Sequence, residues 1–313
     1  MFPIKVSNAA KAKFLILLLA GTTILTSCAS KDVDLSLSET TSGYHESYDS
    51  ESKNEAVKIE SLDQINPTYT YKKWAGKPYL TIDEKSLEQI ITLAMQDAEE
   101  FYLGIGSYNM KYDSKLNRID TPGNFYTDWM TPSFFKARAK QEGSSLFMIN
   151  YRANLDSNLY NDPCGIMQVN ASELVPTLED YFQNIYGISI DFDNLEIFPN
   201  KHDIANIESK QAQKNITQTV YNNVYLSVCY DIYQAKCLNP GHTDYYSKYG
   251  GYSEDIRRQA TIAAYLFGTD VVSSLKNGTF FEKYSNTDYV QNITRFQKEF
   301  DSQKKSAEIE YQN

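Results

Sequence analysis

Three short stretches carry side chains able to do chemistry. The first is Ala139-Lys140-Gln141-Glu142-Gly143-Ser144-Ser145, and the second is Cys164-Gly165-Ile166-Met167-Gln168-Val169-Asn170. The third is Ala263-Ala264-Tyr265-Leu266-Phe267-Gly268. Glu142 is the candidate acid. It stands near the expected end of a helix, where the macrodipole disfavours a charged carboxylate. Phe134, Phe135, Met148 and Tyr265 are candidate apolar walls around it. A carboxyl group in such surroundings keeps its proton towards neutral pH and can act as general acid and then base. The plain alternative is a solvated charge. Signatures of other chemistries are missing. The three histidines, His45, His202 and His242, have no partner at ligand spacing. There is no HExxH, GxSxG or P-loop pattern. No metal or cofactor is expected.

The elements that must position these residues read as helices. Asp83 is an N-cap before Leu87, Ile90, Ile91, Ala94, Met95 and Ala98 at helical spacing. Thr131-Pro132 is a cap followed by proline at the first helical position, opening a helix that runs to Glu142-Gly143. A helix is predicted over residues 172–186, interrupted or started by Pro176. Residues 211–236 form the longest candidate, with Ile216, Val220, Val224, Val228 and Ile232 every four residues. Ser253 caps a helix closed by Gly268, and a last one carries Tyr289, Ile293, Phe296 and Phe300. Strands and helices do not alternate regularly, which argues against a doubly wound sheet. Residues 68–313 are therefore expected to form one mainly α-helical domain.

The chain of 313 residues has a net charge of -10 and a mean hydropathy of -0.49. No basic stripe suited to nucleic acid is present. Only one stretch, near the N-terminus, is apolar enough to meet a bilayer, which excludes a multi-span membrane protein. Lys5, Lys11 and Lys13 precede the apolar run Phe14 to Leu25, the pattern of an export signal. Leu25-Thr26-Ser27-Cys28 follows and resembles a bacterial lipobox, which implies a signal peptide over 1–27 and a diacylglyceryl anchor on Cys28. Such a chain sits lipid-anchored on the outer face of the cell membrane. Residues 28–67 are rich in Ser, Thr, Asp and Glu and poor in aromatics. They read as a flexible acidic stalk, short of the apolar surface that would offset their chain entropy.

The three motifs, in their order and at helix ends, resemble the soluble lytic transglycosylase family of the lysozyme-like superfamily. Its pattern is Glu-Ser, then Gly-Leu-Met-Gln-Ile, then Ala-Ala-Tyr-Asn. The resemblance covers about residues 132–268, and Gly165-Ile166-Met167-Gln168-Val169 is its strongest part. It implies a goose-type, lysozyme-like helical catalytic domain. It also implies cleavage of the bond between N-acetylmuramic acid and N-acetylglucosamine in peptidoglycan, with a 1,6-anhydro product. Glu142 would be the single catalytic acid and base, and Ser144, Gly165, Met167, Gln168 and Tyr265 would contact substrate. Glycan strands are the implied partner, and envelope machinery is a second candidate. The chain departs from the pattern at Gly143, where the family has Ser, and at Leu266, where it has Asn. The interval from Glu142 to Gln168 is also longer than usual.

Several alternatives stay open at this level. Asp156 and Asp162 are either a second carboxylate, as a hydrolytic muramidase would use, or turn formers. Gln168 is either a sugar-contacting amide or a structural one. The Tyr265 hydroxyl either orients Glu142 or belongs to the helix core. Tyr245, Tyr246, Tyr249 and Tyr252 form either a glycan subsite or a packed loop. Cys164, Cys229 and Cys237 allow a bridge from Cys164 to one of the other two, or three buried thiols. The same fold could also serve a glycan-binding or scaffolding lipoprotein without catalysis.

Overall fold

A computed structural model describes residues 59–74, 77–109, 129–143, 146–149, 163–186, 192, 195–237, 253–268 and 270–312. These residues are mainly helical. In chain order the elements are β1 (Tyr69–Trp74), β2 (Lys77–Ile82), α1 (Glu84–Asn109), α2 (Pro132–Glu142) and β3 (Met148–Ile149). They continue with α3 (Ala171–Tyr186), α4 (Lys201–Ala205), α5 (Lys210–Cys237), α6 (Glu254–Phe267) and α7 (Asp270–Lys276). A π-helical turn, Phe281–Ser285, leads into α8 (Asp288–Gln312).

Local chemistry sets the helix starts. The Asp83 carboxylate accepts from the Ser86 N–H at 2.9 Å and from the Thr68 N–H at 2.7 Å, so one side chain caps α1 and ties it to the entrance of β1. Thr131 caps α2 through the Phe134 N–H, with Pro132 at the first position. Ser253 caps α6, and Gly268 closes it at φ 62 with its N–H on the Ala264 carbonyl. Helix α3 runs through Pro176 rather than starting there.

Helix α5 is the centre of the molecule, packed on α1, α3, α4 and α6. Its predicted stripe of Ile216, Val220, Val224, Val228 and Ile232 is wholly buried. Each such side chain contributes about 1.5–3 kcal/mol of burial. Helix α2 is held between α1 and α8. Lys136 reaches across to Glu84 at 3.0 Å and Glu88 at 2.8 Å on α1. Lys140 covers the Phe296 ring of α8 at 4.4 Å.

The mainly helical reading holds with one addition, and the stalk boundary needs correction. A three-stranded antiparallel sheet, in the order β1-β2-β3, accompanies the helices. Tyr71 pairs with Leu80 across the first hairpin, and Leu80 pairs with Ile149 across the second. The strands are short, and β3 has only two residues, too few to show an alternating pattern. The sheet matters because β3 fixes the chain just after Glu142. In addition, residues 59–67, assigned to the stalk, pack on the body. Ile65 is buried, and Ile59 and Leu62 lie against the same core. The rest of the stalk and the signal segment, Cys28 included, lie outside the described residues. No described helix is long and apolar enough to cross a membrane.

Candidate active site

Helix α2 ends at Glu142, and the chain turns away at once. The Gly143 N–H closes the helix on the Ala139 carbonyl at 2.8 Å. A Cβ on residue 143 would lie 2.7 Å from the Met148 nitrogen and 2.8 Å from the Ala139 oxygen. Both are backbone atoms that cannot swing aside. Any side chain at position 143 would therefore meet fixed backbone, which is a local steric reason for glycine there. The Glu142 side chain is half-buried. Its Oε1 accepts from the Tyr289 hydroxyl of α8 at 2.5 Å. Burial pushes its pKa above the usual carboxylate value, while the Tyr289 hydrogen bond and the Arg138 charge pull against that rise. This balance gives a carboxyl group that can hold a proton and still be stabilised once the proton has left.

The second motif is a tight turn. Cys164 and Val169 exchange backbone hydrogen bonds of 3.1 and 2.9 Å, closing residues 165–168 between them. Gly165 has φ 76, and a Cβ there would fall 2.2 Å from the Asn223 amide nitrogen. Only glycine lets Asn223 of α5 approach so closely. That amide donates to the Cys164 carbonyl at 2.9 Å and accepts from the Met167 N–H at 2.8 Å, pinning both sides of the turn to the central helix. Gln168 adopts φ 50, and its amide donates back to the Gly165 carbonyl at 2.6 Å. Its donor thus serves the turn itself, as the structural reading expected.

Two roles assigned from the motifs change. The Met167 side chain is wholly buried in the core, so it cannot touch a substrate. Its contribution is its carbonyl, which accepts from the Tyr265 hydroxyl at 2.8 Å. Tyr265 therefore holds the turn and does not orient Glu142. Tyr289 performs that task, and it lies outside the stretch where the motifs were read. Both tyrosines have pKa values raised chiefly by burial, so both hydroxyls stay protonated as donors.

Behind Glu142 lies a buried ion pair. Arg138 and Asp231 have side chains with 0% exposure, and Nη1 stands 3.0 Å from Oδ1. The Arg138 guanidinium also covers the Tyr265 ring at 3.9 Å and the Phe134 ring at 5.2 Å. Arg138, Glu142, Asp231, Tyr265 and Tyr289 thus form one constellation drawn from α2, α5, α6 and α8. Arg138, Asn223, Asp231 and Tyr289 carry no motif. The available signal was the buried polar series Asn223, Ser227 and Asp231, spaced every four residues beside the apolar stripe of α5.

Other expectations fare differently. Cys164 and Cys229 are buried thiols, so the bridge between them does not form, and the Cys237 side chain lies outside the described residues. Burial pushes the Cys229 thiol up to about 12. Ser144, Asp156, Asp162, His242 and the four loop tyrosines also lie outside the described residues. His202 is a surface residue, with its side chain 85% exposed. No group of three or more His, Cys, Asp or Glu suited to a metal occurs among the described residues. A cavity of about 820 Å³ lies apart from Glu142, between residues 60–67 and the faces of α1 and α5 bearing Asp97 and Tyr221. No known protein family, curated protein or solved structure matches the chain.

Proposed function

We propose that the chain is a lytic transglycosylase with a lysozyme-like helical domain, cutting peptidoglycan glycan strands from a lipid anchor on Cys28. The observation that carries this reading is Glu142: a half-buried carboxyl group with a raised pKa, held by Tyr289. It lies on the helix before the Gly165–Gln168 turn, as the motif order requires. In the proposed reaction Glu142 protonates the glycosidic oxygen and the leaving sugar departs. The resulting carboxylate takes the proton of the C6 hydroxyl of N-acetylmuramic acid, whose oxygen closes on its own anomeric carbon. Glu142 ends protonated again and no water is consumed, so one carboxylate suffices.

The test is mass spectrometry of peptidoglycan digested by the purified protein. The expected products carry 1,6-anhydro ends. Reducing ends would replace the reading by a hydrolytic muramidase, and no product at all would leave a non-catalytic lipoprotein. Glu142→Gln keeps the shape but cannot cycle a proton, so cleavage should fall by roughly 100-fold or more. Cys28→Ala should release the protein from membranes or block its processing.

A further inference from the structure

The Arg138–Asp231 pair has an energetic oddity. Two fully buried charges face each other at 3.0 Å, yet no acceptor among the described residues is aligned with Arg138 Nε, Nη1 or Nη2 for a hydrogen bond. The guanidinium is met by a point charge on one side and by the Tyr265 ring on another. For a fully buried pair of this kind, apolar residues of similar volume would often serve stability as well or better. Its position suggests another use. Arg138 precedes Glu142 by four residues on α2, so the two share a helix face one turn apart. An uncompensated guanidinium there would hold Glu142 ionised and useless as an acid. Asp231 supplies the compensating charge from α5.

We propose that Asp231 is a positioning residue for the acid: by neutralising Arg138 behind Glu142, it lets Glu142 serve as a proton donor. The inference rests on Glu142 being the general acid proposed above. The groups that face this centre are Arg138 and Glu142 from α2, Asp231 from α5, Tyr265 from α6 and Tyr289 from α8. Lys140 turns away, towards Glu299 at 3.6 Å. Burial pushes the Asp231 carboxyl up to about 7 against the pull of Arg138, and charge on Glu142 adds to the rise, so Asp231 compensates Arg138 most fully when Glu142 is protonated. Charge on Glu142 is therefore felt at Asp231, and both carboxyl groups interact with the one guanidinium of Arg138. When Glu142 has given up its proton, Arg138 and Tyr289 are already in place to stabilise the anion.

The test uses the full-length chain in detergent, with the Glu142 carboxyl followed by carbon-13 NMR. Its resonance is assigned by its loss in Glu142→Gln. In Asp231→Asn the bare Arg138 charge should lower the Glu142 titration midpoint by about one to three pH units. In Arg138→Met the midpoint should move upward instead. The double variant Arg138→Met/Asp231→Leu should return it close to wild type. The alkaline limb of the cleavage profile, where the acid loses its proton, should follow the NMR midpoint in each case. A merely structural pair would lower the melting temperature and leave the midpoint in place. An unmoved midpoint in either folded single variant, or movement of both in the same direction, overturns the proposal. The Asp231 variant carries the decision, and Asp231→Ser, with the same downward shift expected, replaces Asp231→Asn if that protein does not fold. A wild-type protein that cleaves nothing but shows these opposite movements would overturn the enzymatic role and leave only the charge coupling. Cleavage with unmoved midpoints would overturn the role of Asp231 alone.

Discussion

Asn223→Ala is the perturbation that tests how the motif turn is held. Asn223 is fully buried, and its amide makes two hydrogen bonds, one to the Cys164 carbonyl and one from the Met167 N–H. Truncation leaves both backbone groups without their partner in the interior. Each orphaned buried group costs about 1–3 kcal/mol. The expected loss is therefore about 2–6 kcal/mol, before any cavity contribution, which is large against a stability of about 5–15 kcal/mol for a typical domain. Urea unfolding measures it, provided the slope with denaturant is unchanged, so that the midpoint alone carries the difference. Amide exchange at Met167 should quicken in the same variant, since its N–H loses its acceptor. Asn223→Asp adds a signed control. The buried Asp can donate to the Cys164 carbonyl only while protonated. Its folded pKa is expected to lie above its unfolded value, so stability is present at low pH and lost as pH rises through the folded pKa. A loss below about 1 kcal/mol in Asn223→Ala, with Met167 still protected, would refute the reasoning.

Tyr289→Phe removes a hydrogen bond that favours the ionised form of Glu142. The Glu142 midpoint should therefore rise, by about one to two pH units for a charge-assisted bond of about 1.5–3 kcal/mol, and NMR titration would show it. Tyr265→Phe should behave differently. It leaves the Met167 carbonyl unpaired, lowering stability by about 1–3 kcal/mol in urea unfolding, and leaves the Glu142 titration close to wild type. Glu142→Gln should change the pH dependence of stability. Because the folded pKa of Glu142 is raised, its contribution is fully present below the unfolded value and is lost as pH rises through the folded one. Wild type should consequently lose more stability than Glu142→Gln between acid and neutral pH, and equal slopes in the two proteins would contradict the raised pKa.

The helices were legible because their information is local. A cap such as Asp83, Thr131 or Ser253 acts within three residues, and a stripe such as Ile216 to Ile232 repeats along one segment. The motif around Gly165 could be recognised in the same way, but not that Asn223 of α5 packs against its glycine. The sheet was not legible, since β3 is two residues whose extended form depends on pairing with β2 far back in the chain. The roles within the site were the least accessible. Glu142 could be singled out because a carboxylate at a helix end is locally out of place. Which of 25 tyrosines reaches it depends on how α8 lies against α2, and that is a matter of packing between distant segments. Tyr265, which lies within the third motif, was open between orienting the acid and belonging to the helix core, and its hydroxyl goes to the Met167 carbonyl. Arg138 and Asp231 read separately as ordinary charges of two helices. Only tertiary structure brings them within 3.0 Å in the interior, where loss of water makes each charge felt by the other and by Glu142. Periodicity and capping are short-range properties of the chain. A perturbed carboxyl group is a property of the space several segments enclose together, and that space exists only after they pack.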